Sequence, residues 1–134
     1  MSENCIFCGI VAGDIPSTRV AETDGAIAFM DINPATTGHL LVIPRTHSTD
    51  LREASADDLT AATLLAQSLV GRVIERLDAD GANLLSCIGA AAWQSVFHTH
   101  LHVIPRYQDD PLQLPWHPTP GDLEQINATA AKLM

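Results

Sequence analysis

The sequence predicts an α+β fold: an antiparallel sheet of about five strands, one long helix and a short N-terminal helix. Two features carry this expectation. Short apolar or alternating runs are separated by turn residues too tight for parallel crossovers. One stretch alone shows sustained helical periodicity, and its apolar stripe needs a sheet to lie on. The chain has 134 residues and a mass of 14.4 kDa, which suits a single domain over 1–134.

In chain order, 5–12 reads as a short helix ended by Gly13 in a left-handed cap. Arg19 to Glu22 and Ala26 to Phe29 flank Thr23-Asp24-Gly25, and Asp-Gly between extended runs is a hairpin signal. His39 to Ile43 follows Gly38 and stops at Pro44, as a third strand would. Ser55 is placed to cap the long helix, with Asp57 and Asp58 near the positive end of its dipole. Leu59, Ala62, Ala66, Leu69, Val73 and Leu77 then recur at helical spacing. Ala82 to Ile88 and Val96 to Ile104 are the last two expected strands, the second closed by Pro105. The proline-rich tail is loop until a closing helix within 121–133.

Hydrophobic residues make up 46% of the chain, enough for a core. Sixteen acidic residues against seven basic ones, without a basic cluster, argue against wrapping a nucleic-acid backbone. A small anionic ligand held by a few local donors stays compatible with that charge. No apolar run approaches the roughly 20 residues of a membrane span, and Met1 to Cys8 lacks the pattern of a signal peptide. Three cysteines are too few and too odd for a disulfide scaffold. The expected compartment is the cytoplasm.

His98, His100 and His102 alternate with Thr99, Leu101 and Val103. On a strand the histidines share one face and the mostly apolar residues the other. Half of the chain's six histidines at strict period two argues against a merely solvated face. The outer two would be about 13 Å apart at about 3.3 Å per residue, too far for one metal ion to take all three. Neutral imidazole is a usable nucleophile near pH 7, and His100 has a histidine on each side to orient it or exchange protons. A two-histidine metal site is the competing interpretation. Cys5-Ile6-Phe7-Cys8 is a C-x2-C pair, compatible with zinc, a redox couple or two buried thiols. His47 is the best partner for it elsewhere in the chain.

The segment from Gln94 to Ile104, QSVFHTHLHVI, resembles the signature of the histidine triad family of nucleotide hydrolases and transferases, with Thr99 in a loose apolar position. Phe7, Ile10, Ile15-Pro16, Phe29-x-Asp31-Ile32 and the run from His39 to Arg45 match family positions in order. The resemblance implies that His100 attacks the α-phosphate of a purine nucleotide derivative and forms a nucleotidyl-histidine intermediate. It implies that His102 contacts the phosphate and manages protons, with His98 and His39 beside them. Gln94 and Ser95 would donate to phosphate oxygens and the leaving group. Asp31 would accept from both ribose hydroxyls, and Phe7, Ile10, Ile15, Phe29 and Ile32 would sandwich the purine. From the residues alone, core packing explains those five equally well, and a surface turn before Asn33-Pro34 explains Asp31.

Zinc-bearing members of the family further imply Cys5, Cys8, His47 and His98 as ligands of a structural zinc. They also imply a homodimer whose sheets join. Adenosine phosphoramidates and dinucleoside polyphosphates are the expected substrates. Two positions depart from the family pattern, and Trp116 stands in a stretch that resembles the family's C-terminal segment. Cys87 stands where an amide is common, leaving Ser86 or a backbone group to substitute. Trp93 stands where glycine is usual. Trp116 lies in a tail that either approaches the partner's site or pins itself to the body. A nucleotide-binding regulatory protein with little turnover and a metalloenzyme using the triad as ligands are the rival functions.

Overall fold

The computed structural model describes residues 4–134; Met1, Ser2 and Glu3, part of the segment weighed as a leader, lie outside the described residues. Helix α1 (Ile6–Ala12) precedes strands β1 (Arg19–Glu22), β2 (Ala26–Met30) and β3 (Leu40–Pro44). Helix α2 (Ala56–Arg76), strands β4 (Gly81–Leu85) and β5 (Leu101–Arg106) and helix α3 (Leu123–Leu133) follow. The five strands form one antiparallel sheet in the order β1-β2-β3-β5-β4.

Local chemistry explains the helix ends. The Cys5 sulfur caps α1 by accepting from the Cys8 amide, and Gly13 closes the helix at φ 84°. The Ser55 side chain accepts from the Asp58 amide at the start of α2. Thr23 closes the β1–β2 hairpin, its amide donating to Ala26 O at 2.8 Å. Gly25 is needed for close approach, since a Cβ there would lie 2.7 Å from Ala61 Cβ on α2.

The sheet has two differently built faces. Ala26 and Ala28 on β2, Leu40 and Val42 on β3, and Leu101 and Val103 on β5 pack under α2. The alternate residues Ile27, Phe29, Leu41 and Ile43 pack with Phe7 and Ile10 of α1. The apolar stripe of α2 differs from the expected one at two places. Leu65 joins the core at 6% exposure, whereas Leu77 is 43% exposed because the helix ends at Arg76 and leaves it past the sheet.

The last strand also differs from expectation. It begins at Leu101 rather than Val96, and it continues through Pro105 to Arg106. Pairing with β3 stops at Val42↔Leu101. Beyond that point the chain binds the loop after β3 instead. Thr99 N donates to Ser48 O at 2.8 Å, and the Ser48 and Thr99 hydroxyls pair at 2.6 Å. Pro105 is tolerated because its missing N–H falls beyond the β3 ladder, which ends at Leu40↔Val103. Strand β4 is shorter than expected, ending at Leu85. Helix α3 forms inside the expected 121–133 range, capped by Asp122. No helix among the described residues is long and apolar enough to cross a membrane.

Leu69 is 1% exposed at the centre of the α2 face. Leu69→Ala should lower unfolding free energy by about 2–5 kcal/mol in urea titrations, the usual cost of a buried cavity; a loss below about 1 kcal/mol would contradict this packing.

Candidate active site and metal centre

His98 is fully buried, and its ring and its backbone face two different clusters. The Nε2–H donates to Pro44 O at 2.9 Å, which leaves Nδ1 unprotonated. That nitrogen lies 3.5 Å from Cys5 Sγ, 3.5 Å from Cys8 Sγ and 3.3 Å from His47 Nδ1. Cys8 Sγ is 3.3 Å from His47 Nδ1, and the four ligand atoms all lie within 4.8 Å of one another. A tetrahedron with Zn–S near 2.3 Å and Zn–N near 2.0–2.1 Å has edges of roughly 3.3–3.8 Å. The measured separations match it. Two thiols and two imidazole nitrogens with free lone pairs suit zinc, and the cysteines are not disulfide-bonded. Burial pushes the Cys5 thiol above its ordinary value, a cost that a bound cation would offset.

The second cluster lies between α1 and the sheet. A cavity of about 340 Å³ is lined by Phe7, Ile10, Ile15, Phe29, Asp31, Ile32, Ser95, His100 and His102, among others. Nine residues expected from the sequence are thus brought to one space. Phe7, Ile10 and Phe29 also belong to the apolar cluster, with Ile15 packed against it, so core packing and cavity lining are the same surface. Ile32 is 91% exposed and only edges the mouth. Leu41, Val96, Met30 and Ser17 line the cavity too and were not singled out. Leu41 shares strand parity with Ile43, and Val96 sits inside the triad signature, so a periodicity signal existed for both.

Hydrogen bonds set the protonation of each imidazole. His100 Nδ1–H donates to His98 O at 2.6 Å, so the other nitrogen, Nε2, carries the lone pair. His39 Nδ1 accepts from the Ala35 amide at 2.9 Å, which puts the His39 proton on Nε2. That proton faces His102 Nδ1 at 3.0 Å, with Asp31 Oδ2 at 3.4 Å as a second acceptor. His102 therefore holds its own proton on Nε2. Asp31, His39 and His102 are close enough to suggest a metal site. The Ala35 amide argues against one, because His39 Nε2 must keep its proton and has no lone pair to give.

Burial is the main cause that lowers the pKa of His39, His98 and His100. His102 falls from 6.5 to about 4, through burial first and then the neighbouring His100 and His39. All four rings are neutral near pH 7. The triad does not lie on one strand as expected: only His102 belongs to β5. Shared facing is nevertheless kept, since Phe7 meets His98 and His100 with ring centroids 5.9 and 5.1 Å apart, and His100 meets His102 at 5.1 Å. The face is buried rather than solvated.

Other expected residues take different positions. Gln94 is 5% exposed, and its amide is committed to backbone. Its Oε1 accepts from Gly89 N at 2.8 Å, and its Nε2 donates to Thr49 O at 2.8 Å and Val96 O at 3.2 Å. In this geometry Gln94 braces the loop that carries exposed Ser95 into the cavity. Ser86 Oγ donates to His100 O at 2.9 Å, tying down the triad backbone beside buried Cys87. Trp93 has φ 74°, a left-handed conformation that favours glycine, and is 70% exposed. Trp116 is 63% exposed.

A family model described as the HIT domain matches residues 12–109. The chain belongs to the histidine triad (HIT) family. Among similar solved structures, SMU.412c from Streptococcus mutans UA159 superposes with a TM-score of 0.93 at 32% identity, over 99% of this chain and 85% of that one. A Zn-bound histidine triad family protein from Mycobacterium smegmatis superposes with a TM-score of 0.79 at 38% identity, over 97% of this chain and 95% of that one. The adenosine 5'-monophosphoramidase hnt1 of Schizosaccharomyces pombe is 38% identical over 97% of this chain and 96% of its own length. The family implies nucleotide ligands.

Purified protein should contain about one zinc per chain by elemental analysis. Cys8→Ser should reduce that content and lower the Tm, since ligation energy at such a site is folding energy. Zinc-free protein from chelator-free preparation would remove the assignment.

The depressed His102 pKa also fixes a sign. Unfolded histidine titrates near 6.5, so between about pH 6.5 and 4 the unfolded chain binds more protons. Stability from this group is full above about 6.5 and declines as pH falls toward 4. Urea midpoints measured across that range with zinc in excess should drop, and His102→Gln should shallow the slope. Identical slopes would show that His102 titrates normally.

Proposed function

We infer that this HIT protein cleaves or transfers at the α-phosphate of purine nucleotide derivatives, adenosine phosphoramidates and dinucleoside polyphosphates being the candidate substrates. The observation that carries this is the His100–His98 carbonyl bond, which leaves a neutral imidazole with its Nε2 lone pair on the cavity side. A nucleophile of this kind needs no proton removed before it attacks.

In the first step His100 Nε2 forms a bond to the α-phosphorus, and the bond from phosphorus to the leaving group breaks. His102 keeps its single Nε2 proton and donates it in a hydrogen bond to a non-bridging phosphate oxygen, because a neutral imidazole that lost it would become an anion. The leaving group takes its proton from solvent, beside the Ser95 hydroxyl. In the second step water attacks the nucleotidyl-histidine phosphorus, the N–P bond breaks, and the water proton returns to solvent. The cycle returns both imidazoles to their starting forms. His39 holds the His102 tautomer, so that the proton is presented on the correct nitrogen. The His98 carbonyl stabilises the positive charge on the His100 ring while the N–P bond exists.

Binding follows from the same cavity. Phe7, Ile10, Ile15 and Phe29 offer an apolar slot for the purine, with Ile32 at its mouth. Asp31 accepts from the ribose hydroxyls, and Ser95 donates to phosphate or the leaving group. Gln94 contributes by bracing Ser95. Cys5, Cys8, His47 and His98 hold a structural zinc: four protein ligands leave no position for substrate. Bound there, the ion supplies cross-linking rather than chemistry. The named activity of the fission-yeast relative supports the phosphoramidate substrates. The exposed edge strand β4, with Leu84 and Leu85 open to solvent, supports a homodimer in which two sheets join.

His100→Ala should abolish release of mononucleotide from an adenosine phosphoramidate while retaining fold and nucleotide binding. Acid-labile label from substrate should be trapped on His100 in the wild type. Near-normal turnover in the variant would rule out the covalent route, and binding without turnover in the wild type would favour the regulatory alternative.

A further inference from the structure

On the opposite face of the sheet from the histidines, a second cavity of about 260 Å³ lies beside the C-terminal half of α2. Its walls are apolar: Met30 and Leu40 from the sheet, Leu69 and Val73 from the helix. Leu40 and Leu41 are consecutive and point to opposite faces, so among the described residues the two spaces share Met30 alone, at the end of β2. Among the described residues, the charged ones lining it are Arg72 and Arg76.

These two arginines are unlike the others. The chain has six, and Arg19, Arg45, Arg52 and Arg106 each pair with a carboxylate. Arg72 and Arg76 form no ion pair among the described residues, although acidic residues outnumber basic ones sixteen to seven. They stand four residues apart on one helix face, where like charges repel. The helix dipole favours a cation in the last turn and so accounts for Arg76, but Arg72 lies a turn earlier. Two unpaired guanidiniums on the lining of an apolar cavity match an anion with an apolar body.

We propose that this cavity is a binding site for a medium-chain monocarboxylate, the alkyl chain lying in the groove that Val20, Met30 and Leu77 leave open at the C-terminal end of α2 and the carboxylate between Arg72 and Arg76. The cavity falls just below the roughly 300–1,000 Å³ that accommodates drug-sized ligands, which selects a short, linear chain over a sterol or a full-length lipid. A carboxylate suits the fork geometry of a guanidinium. The site is independent of the nucleotide chemistry proposed above, and its test does not depend on turnover.

The test is calorimetric titration of the full chain with octanoate, octanol and acetate, below the onset of micelles. Octanoate should bind saturably, acetate should not, and octanol should bind more weakly than octanoate. Arg72→Gln combined with Arg76→Gln should weaken octanoate at least tenfold and leave octanol unchanged. Added salt should weaken octanoate alone, because screening acts on the charged head. A saturating nucleoside monophosphate should not displace it. Both arginines are at the surface, and thermal melting checks that the double variant stays folded. Absence of saturable octanoate binding, equal affinity in wild type and double variant, or displacement by the nucleotide would each overturn the proposal.

Discussion

His98 joins two requirements that would otherwise be independent. Its ring completes the cluster of Cys5, Cys8 and His47, and its carbonyl accepts the Nδ1 proton of His100. Those uses need opposite ends of one residue held still. The ring is fixed by Pro44 O on one side and by the cysteine cluster on the other. With the ring locked, the peptide plane that follows it is locked as well, and with it the tautomer of His100. A metal held at the cluster would therefore stiffen the support of His100 without approaching its ring. The extended chain leaves the β3 ladder at this point for the same reason: Thr99 bonds to Ser48 so that His98 can turn toward the cysteines.

The sheet makes this arrangement affordable in hydration terms. On the α2 side the sheet contributes Ala26 and Ala28 and the helix Ala62 and Ala66, so the long helix sits close over the middle of the sheet. Its α1 face uses larger side chains at Ile27, Phe29, Leu41 and Ile43, which hold the short helix away and leave a cavity. The histidines stand at the border of that apolar cluster. Burial then depresses their pKa values, and a neutral imidazole is the form that the proposed attack on phosphorus uses. The same burial thus serves stability through apolar area and keeps the rings in that neutral form.

Much of this was legible in the sequence because it rests on local or strictly periodic signals. Asp24-Gly25, the Ser55 cap, the alternation of His98, His100 and His102, and the C-x2-C pair each follow from a few adjacent residues. What was not legible depends on distant partners. Nothing near Gln94 indicates that Gly89, Thr49 and Val96 would consume its amide. Extended residues from 96 to 100 look like strand, and only the loop at 44–49 decides that they bend. Leu77 continues the helical stripe in sequence, yet the sheet beneath it has ended. Ile32 follows the buried pattern of β2 but lies beyond its last residue, Met30, and faces solvent.

Asp31 shows why two interpretations that compete in a sequence need not compete in a structure. Its Oδ1 accepts from Asn33 N at 2.8 Å, which is the turn-forming role. Its Oδ2 lies 3.4 Å from His39 Nε2, at the end of the chain of imidazoles. An ionised carboxylate offers about four lone-pair sites, so these contacts leave capacity for two further donors from the cavity. The turn fixes the direction in which that capacity points, and a freely rotating surface aspartate would have to be ordered by its ligand instead. The negative charge of Asp31 also counteracts part of the burial effect on His39, His100 and His102. A ligand that satisfied the carboxylate would weaken that influence and hold the histidines more firmly in the neutral form that the proposed attack requires.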